Sequence, residues 1–121
     1  MDSIPTAADA FLPLPVAEYH ILVTLADVAK HGYGIMSEVE GRTRGDVRLG
    51  PGTLYSALRR MVDRGLIEEA APPRGDEGGE RRLFYKITAL GRDVVIAEAR
   101  RMERCVAMIR RTRLVGRMEP A

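Results

Sequence analysis

The 121-residue chain carries 19 basic and 17 acidic residues, two histidines, one cysteine and no tryptophan. A single cysteine excludes an intrachain disulfide, and with two histidines it makes no structural-zinc spacing. No apolar run approaches a membrane span and the acidic start is unlike a signal peptide, so one soluble, cytoplasmic domain with an aliphatic core, holding no metal or cofactor, is expected.

The net charge of +2 is too small to argue for nucleic acid by itself. Its distribution says more. Residues 1–49 sum to −3, 50–65 to +2, 66–80 to −4 and 81–121 to +7. Seventeen of the basic residues are Arg, which suits phosphate contact and equally reflects a GC-rich genome.

Residues 1–13 read as a loose arm that Phe11, Leu12 and Leu14 can anchor. Pro15 suits the first turn of a helix that runs from Val16 to about Ala29, with Tyr19, Leu22, Val23 and Ala26 at helical spacing and Ile21, Leu25 and Val28 widening the stripe. The "KHGYG" turn breaks it, with His31 as a packing or capping residue. A short helix over 33–40 follows, with Ile35, Met36 and Val39 on its apolar side, and then a polar loop, "GRTRGD".

The stretch "GPGTLYSALRRMVDRGLI" predicts the most informative helix. Pro51 fits its first position, where a missing N–H costs nothing. Leu54, Leu58 and Met61 fall on one face with Ala57 and Val62 beside them, and Gly65 is the stop. Thr53, Ser56, Arg59, Arg60 and Asp63 remain outside. Small residues near the start permit close approach to another surface, and the exposed N–H groups there favour an anion.

"LIEEA" is a first strand and "RRLFYKI" a second, with Leu83, Tyr85 and Ile87 expected on one face and Arg82, Phe84 and Lys86 on the other. Three helices followed by a hairpin are the layout of a winged helix, in which one helix reads the major groove and the hairpin loop lies along the backbone. Thr88 caps a last helix expected to reach about Arg113. Along it Val95, Ala99, Met102, Val106 and Ile109 are spaced 4, 3, 4, 3, a heptad seam that calls for a partner helix. The expected fold is mainly α with a two-stranded β wing: residues 14–87 as a winged helix-turn-helix and 88–115 as a long dimerisation helix.

Three blocks, "HGYGIMSEVE", "GPGTLYSALRRMVDRGLIEE" and "RRLFYKITALGRDVV", stand in the order and spacing of the PadR family of bacterial transcriptional regulators, which the chain resembles from about Leu14 onward. The resemblance implies a homodimeric winged-helix repressor that binds double-stranded DNA, its last helix against the partner and some members taking small hydrophobic or aromatic effectors. Carried over by position, the DNA-contacting set is Tyr33, Gly52, Thr53, Tyr55, Ser56, Arg59 and Arg60, with Arg74, Arg81 and Arg82 in the wing. The dimer set is Leu14, Tyr19, Val95, Ala99, Met102, Val106 and Ile109, and the effector linings are Phe11, Tyr19, Ala99 and Met102.

The chain departs from the pattern at Leu83, where the family often has a basic residue, and in an acidic wing with Asp76, Glu77 and Glu80. A weaker wing contribution than helix contribution is expected. Tyr55 serves either a phosphate or the core, and Gly52 either clears space for DNA or tunes the helix start. No Ser/His/Asp or Cys/His grouping and no phosphate-binding glycine loop appears, which argues against an enzyme. The rival reading is a winged-helix module for protein interaction. It would place large apolar residues where Thr53, Ser56, Arg59 and Arg60 stand.

Overall fold

The structure is a computed structural model that describes residues 6–72 and 83–118. Helix α1, Val16–Thr24, starts after Pro15. It buries Ile21 and Leu22 completely, and Leu25 just beyond its end almost so. It stops at Thr24, short of the expected Ala29, and Val28 is exposed. The reason lies downstream: Lys30–His31 form a short strand, β1, and the chain must leave the helix to reach it.

His31 then caps α2, Gly32–Arg42, its Nδ1 accepting the Gly34 N–H at 3.0 Å. Ile35 and Val39 point inward. Helix α3, Pro51–Asp63, has proline at its first turn and buries Leu54, Ala57, Leu58 and Met61. It ends at Arg64, and Gly65 takes φ +79° in the turn, a left-handed conformation that side chains disfavour. The stripe of one helix meets those of the others in a single aliphatic core.

Strands β2, Ile67–Ala70, and β3, Phe84–Ile87, pair antiparallel, with Ile67 opposite Ile87 and Ala70 opposite Phe84. Strand β1 pairs with the other edge of β3, so the sheet has three strands in the order β1-β3-β2 rather than the expected two. Phe84, expected on one face with Lys86, is buried where His31 of β1 meets its ring edge-on at 5.2 Å. Leu83 precedes the strand and is exposed. Lys86 is exposed and pairs with Glu68 at 3.2 Å.

Thr88 caps α4, Ala89–Arg110, by accepting the Gly91 N–H at 3.0 Å. The helix ends before Arg113, and a separate turn of helix, α5, follows at Val115–Met118. Within the N-terminal arm, Ala7–Phe11 form a 3-10 helix that packs against α4 and buries Ala8. A buried carboxylate fastens this junction. Glu98 of α4 accepts the Leu14 N–H at 2.8 Å and is gripped by the Arg101 guanidinium through Nε and Nη2.

The Arg101 hydrogen bond holds the Glu98 carboxyl below its ordinary value of 4.5, against the opposing effect of burial and with help from the Leu14 N–H. A carboxyl lowered by folding adds stability that is complete above the unfolded value and is lost as pH falls through the folded one. Glu98→Gln keeps an acceptor for Leu14 and removes the charge. It is expected to cost about 1–2 kcal/mol at neutral pH. It should also flatten the loss of stability expected of wild type below pH 4.5. Urea midpoints measured across pH test both parts.

Candidate nucleic-acid interface

Burial on α3 follows the helical period, so its opposite side is fixed by geometry. Gly52, Ser56, Arg59 and Asp63 run along the middle of that exposed side. A Cβ added at Gly52 would meet nothing within 4 Å. Arg59 makes no ion pair among the described residues. The strip is small at its start and cationic one turn later. A rigid helix thus presents a guanidinium beside open space, the geometry that suits a groove wall or a base edge.

Two flanks border the strip. On one lies Tyr55, 45% exposed, whose hydroxyl sits so close to Gly32 that a Cβ there would come within 2.5 Å of it. The ring is therefore wedged against the start of α2 while part of it stays open, which joins the structural and the contact role. Tyr33, 70% exposed, stacks near His31 at 6.5 Å between ring centres. Tyr85 lies beneath this flank. Its phenol is pushed above its ordinary value first by burial, then by Glu69 and Tyr55, with Arg59 opposing.

On the other flank Thr53 is exposed and Arg60 leans toward α1. Arg60 Nη2 lies 3.6 Å from Glu18 Oε2, and Arg64 Nη1 lies 3.9 Å from Glu18 Oε1. The Arg64 guanidinium also covers the Phe11 ring at 4.6 Å. Glu18 escaped the sequence reading. The available signal was an acid inside the run "VAEYHILV", which is otherwise apolar but for His20.

The remaining sites divide as follows. Arg74, Arg81 and Arg82 lie outside the described residues, as does the acidic wing tip. Leu14 is buried in the chain's own core, and Tyr19 is half-buried with His20 edge-on at 5.3 Å. Burial first, and Arg42 second, lower the His20 pKa below its ordinary value. Val95, Ala99 and Met102 are half-buried, whereas Val106 and Ile109 are exposed at 43% and 37%. Beyond Met102 only Ala107 of α4 is even partly covered, so the helix runs past its own domain. Cys105 is exposed, 3.7 Å from Arg101 Nη1. Among the described residues no cluster could hold a metal ion, and no helix is long and apolar enough to cross a membrane.

The helix-turn-helix and the sheet lie inside one matched segment: residues 21–97 fit the PadR-like transcriptional regulator family. The chain belongs to the PadR family. A transcriptional regulator of Mycobacterium tuberculosis is 34% identical over 84 residues, which cover 69% of this chain and 73% of that protein. A 37.1 kDa uncharacterized protein of a Streptomyces fradiae transposon is 38% identical over 88 residues. They cover 73% of this chain, and the chain spans only 23% of that protein's length.

Solved structures agree on the PadR fold. A PadR family transcription regulator from Clostridium difficile R20291 is 27% identical with a TM-score of 0.63, over 79% of this chain and 95% of that one. Bacillus subtilis PadR in complex with operator DNA is 22% identical with a TM-score of 0.59, over 69% of this chain and 46% of that one. The family match begins inside α1 and ends at residue 97. Glu18 and the outer seam of α4 therefore lie beyond the part of this PadR-family chain that defines its family.

Proposed function

We propose that this PadR-family regulator is a cytoplasmic repressor that binds a pseudo-palindromic DNA operator as a homodimer. The carrying observation is the outer strip of α3, where Gly52 opens onto empty space and Arg59 stands without an ion pair among the described residues. Thr53, Tyr55, Ser56 and Tyr33 surround the strip with exposed groups able to donate to phosphate. The Bacillus subtilis relative of the same fold has been captured on operator DNA, which supports DNA as the partner here. Arg74, Arg81 and Arg82 of the wing are assigned a lesser share, because Asp76, Glu77 and Glu80 repel phosphate among them.

The second copy is assigned to the seam Val95, Ala99, Met102, Val106 and Ile109. Support comes from the heptad spacing and from a helix that outruns its domain while keeping apolar groups exposed. Two α3 helices would then enter successive major grooves about 34 Å apart. Val106→Asp changes an exposed position and is expected to leave the fold intact. It should turn a dimer into a monomer in sedimentation equilibrium and weaken operator binding on the order of tenfold or more. The 3-10 helix and α1, which carry Phe11 and Tyr19, pack on α4, the helix that carries Ala99 and Met102. An apolar effector seated there would release DNA by favouring a different angle between the two copies.

Selecting bound sequences from random duplexes tests the whole reading. A two-fold symmetric footprint with two half-sites one helical turn apart is expected. Binding without sequence preference would leave the rival reading, an interaction module, open.

A further inference from the structure

We propose that Glu18 is a specificity-determining residue of the DNA face, whose buried carboxylate holds Arg60 and Arg64 back from phosphate and so weakens binding to arbitrary sequence. The inference rests on the DNA-binding reading above.

Glu18 lies in the first turn of α1 and is 1% exposed, in a helix whose other inward residues include Ile21 and Leu22. Its two oxygens stand 3.6 Å and 3.9 Å from Arg60 and Arg64, and Oε1 has no hydrogen-bond partner among the described residues. Those separations are those of ion pairs without hydrogen bonds. Both guanidiniums are about half exposed, at 54% and 45%. Removing a carboxylate from water costs more than two long, partly wet pairs return. Stability therefore does not explain an acid at this position, where an aliphatic side chain would pack without that cost.

Electrostatics does explain it. The α3 segment and its cap carry three arginines, Arg59, Arg60 and Arg64. Two of them face a negative charge fixed in the core, and Arg64 is further engaged with Phe11. Phosphate contacts supply the sequence-independent part of affinity, while base-edge contacts supply discrimination. Placing a carboxylate under two of the three arginines reduces the first part. It leaves Gly52, Ser56 and Arg59 to provide the second.

The test measures binding of the full chain to two probes over a range of salt: a duplex selected from random sequence and a duplex of arbitrary sequence. Glu18→Gln keeps the side chain's size and removes its charge. It is expected to tighten binding to the arbitrary duplex several-fold and to narrow the preference for the selected one. The logarithmic salt slope should steepen by about one or more as freed arginines reach phosphates. A folded Glu18→Gln protein with unchanged slope and affinity overturns the proposal, as does one that binds both duplexes more weakly.

If that variant does not fold, the arginines decide. Arg60→Gln and Arg64→Gln are expected to change arbitrary-duplex affinity by no more than about twofold, the scale of an ion pair already made. On the selected duplex Arg59→Gln should lose far more than either, and an arbitrary-duplex loss at Arg60 or Arg64 well beyond twofold overturns the proposal. A wild-type chain that binds neither duplex sinks the DNA-binding reading and this inference with it. Normal wild-type binding with an unaltered Glu18→Gln profile sinks the inference alone.

Discussion

Gly91→Ala is expected to destabilise the chain by about 3 kcal/mol or more, a large share of the stability of a domain this size. A Cβ at this position would stand 2.1 Å from the Leu66 carbonyl oxygen, 2.8 Å from Ile87 Cγ1 and 3.1 Å from the Leu66 carbonyl carbon. The obstacle is backbone, so no rotamer change relieves it. Leu66 is itself held at both ends. Its side chain is completely buried, its N–H donates to Met61 at 2.9 Å, and its carbonyl accepts the Thr88 N–H at 3.1 Å. Moving it aside would open the turn between α3 and β2 and break the cap of α4 together. Gly41→Ala is the matched control, because nothing lies within 4 Å of its added Cβ. That change replaces glycine near the end of α2 and should gain up to about 1 kcal/mol. Urea unfolding of the two variants beside wild type checks the contrast. A Gly91→Ala protein as stable as wild type would refute the close approach of α4 to Leu66.

The contrast between those glycines also shows where the sequence is legible. Caps and stops are local, so Pro51, Gly65, Thr88 and His31 announce helix boundaries from their own chemistry, and the structure uses each in that way. The buried side of α3 is equally local, because four inward residues at helical spacing leave one possible outward side. Long-range partners leave no such trace. Strand β1 has two residues and no period of its own. It exists because the edge of β3 accepts it. Alternation places Phe84 on one face with Lys86 but cannot say that His31 of this second neighbour covers Phe84 while Lys86 stays open.

Carboxylates show the same limit more sharply. Glu18 and Glu98 look alike in sequence to any solvent-facing acid, yet they are 1% and 2% exposed. Their burial depends on Arg60, Arg64 and the Leu14 N–H, which approach from other elements. The seam on α4 is the reverse case. Its spacing is plain in the sequence, whereas Val106 and Ile109 stay exposed among the described residues. Composition on the polar side of α3 could not rank Arg59 against Arg60, because both are exposed arginines on adjacent positions. The fold separates them by turning Arg60 toward Glu18 and leaving Arg59 over the strip.

That separation makes Arg59→Ala the substitution with the largest expected effect on DNA binding. Arg59 has no ion pair among the described residues, so its loss should leave the thermal midpoint near that of wild type. The proposed dimer would present the residue twice, and each contact is worth about 1–3 kcal/mol if it reads a base edge. Affinity for the selected operator should then fall about 30-fold or more. The salt dependence tells which contact is lost. A loss confined to the operator, with the slope unchanged, assigns Arg59 to a base edge. A uniform loss, with the slope reduced by about two for the dimer, assigns it to phosphate. Gly52→Leu probes the neighbouring space without touching charge. The free chain has room for that side chain, so the protein should fold normally while a duplex lying against the strip is pushed away. If Arg59→Ala and Gly52→Leu both bound the operator as wild type does, the outward side of α3 would not be the surface that meets DNA.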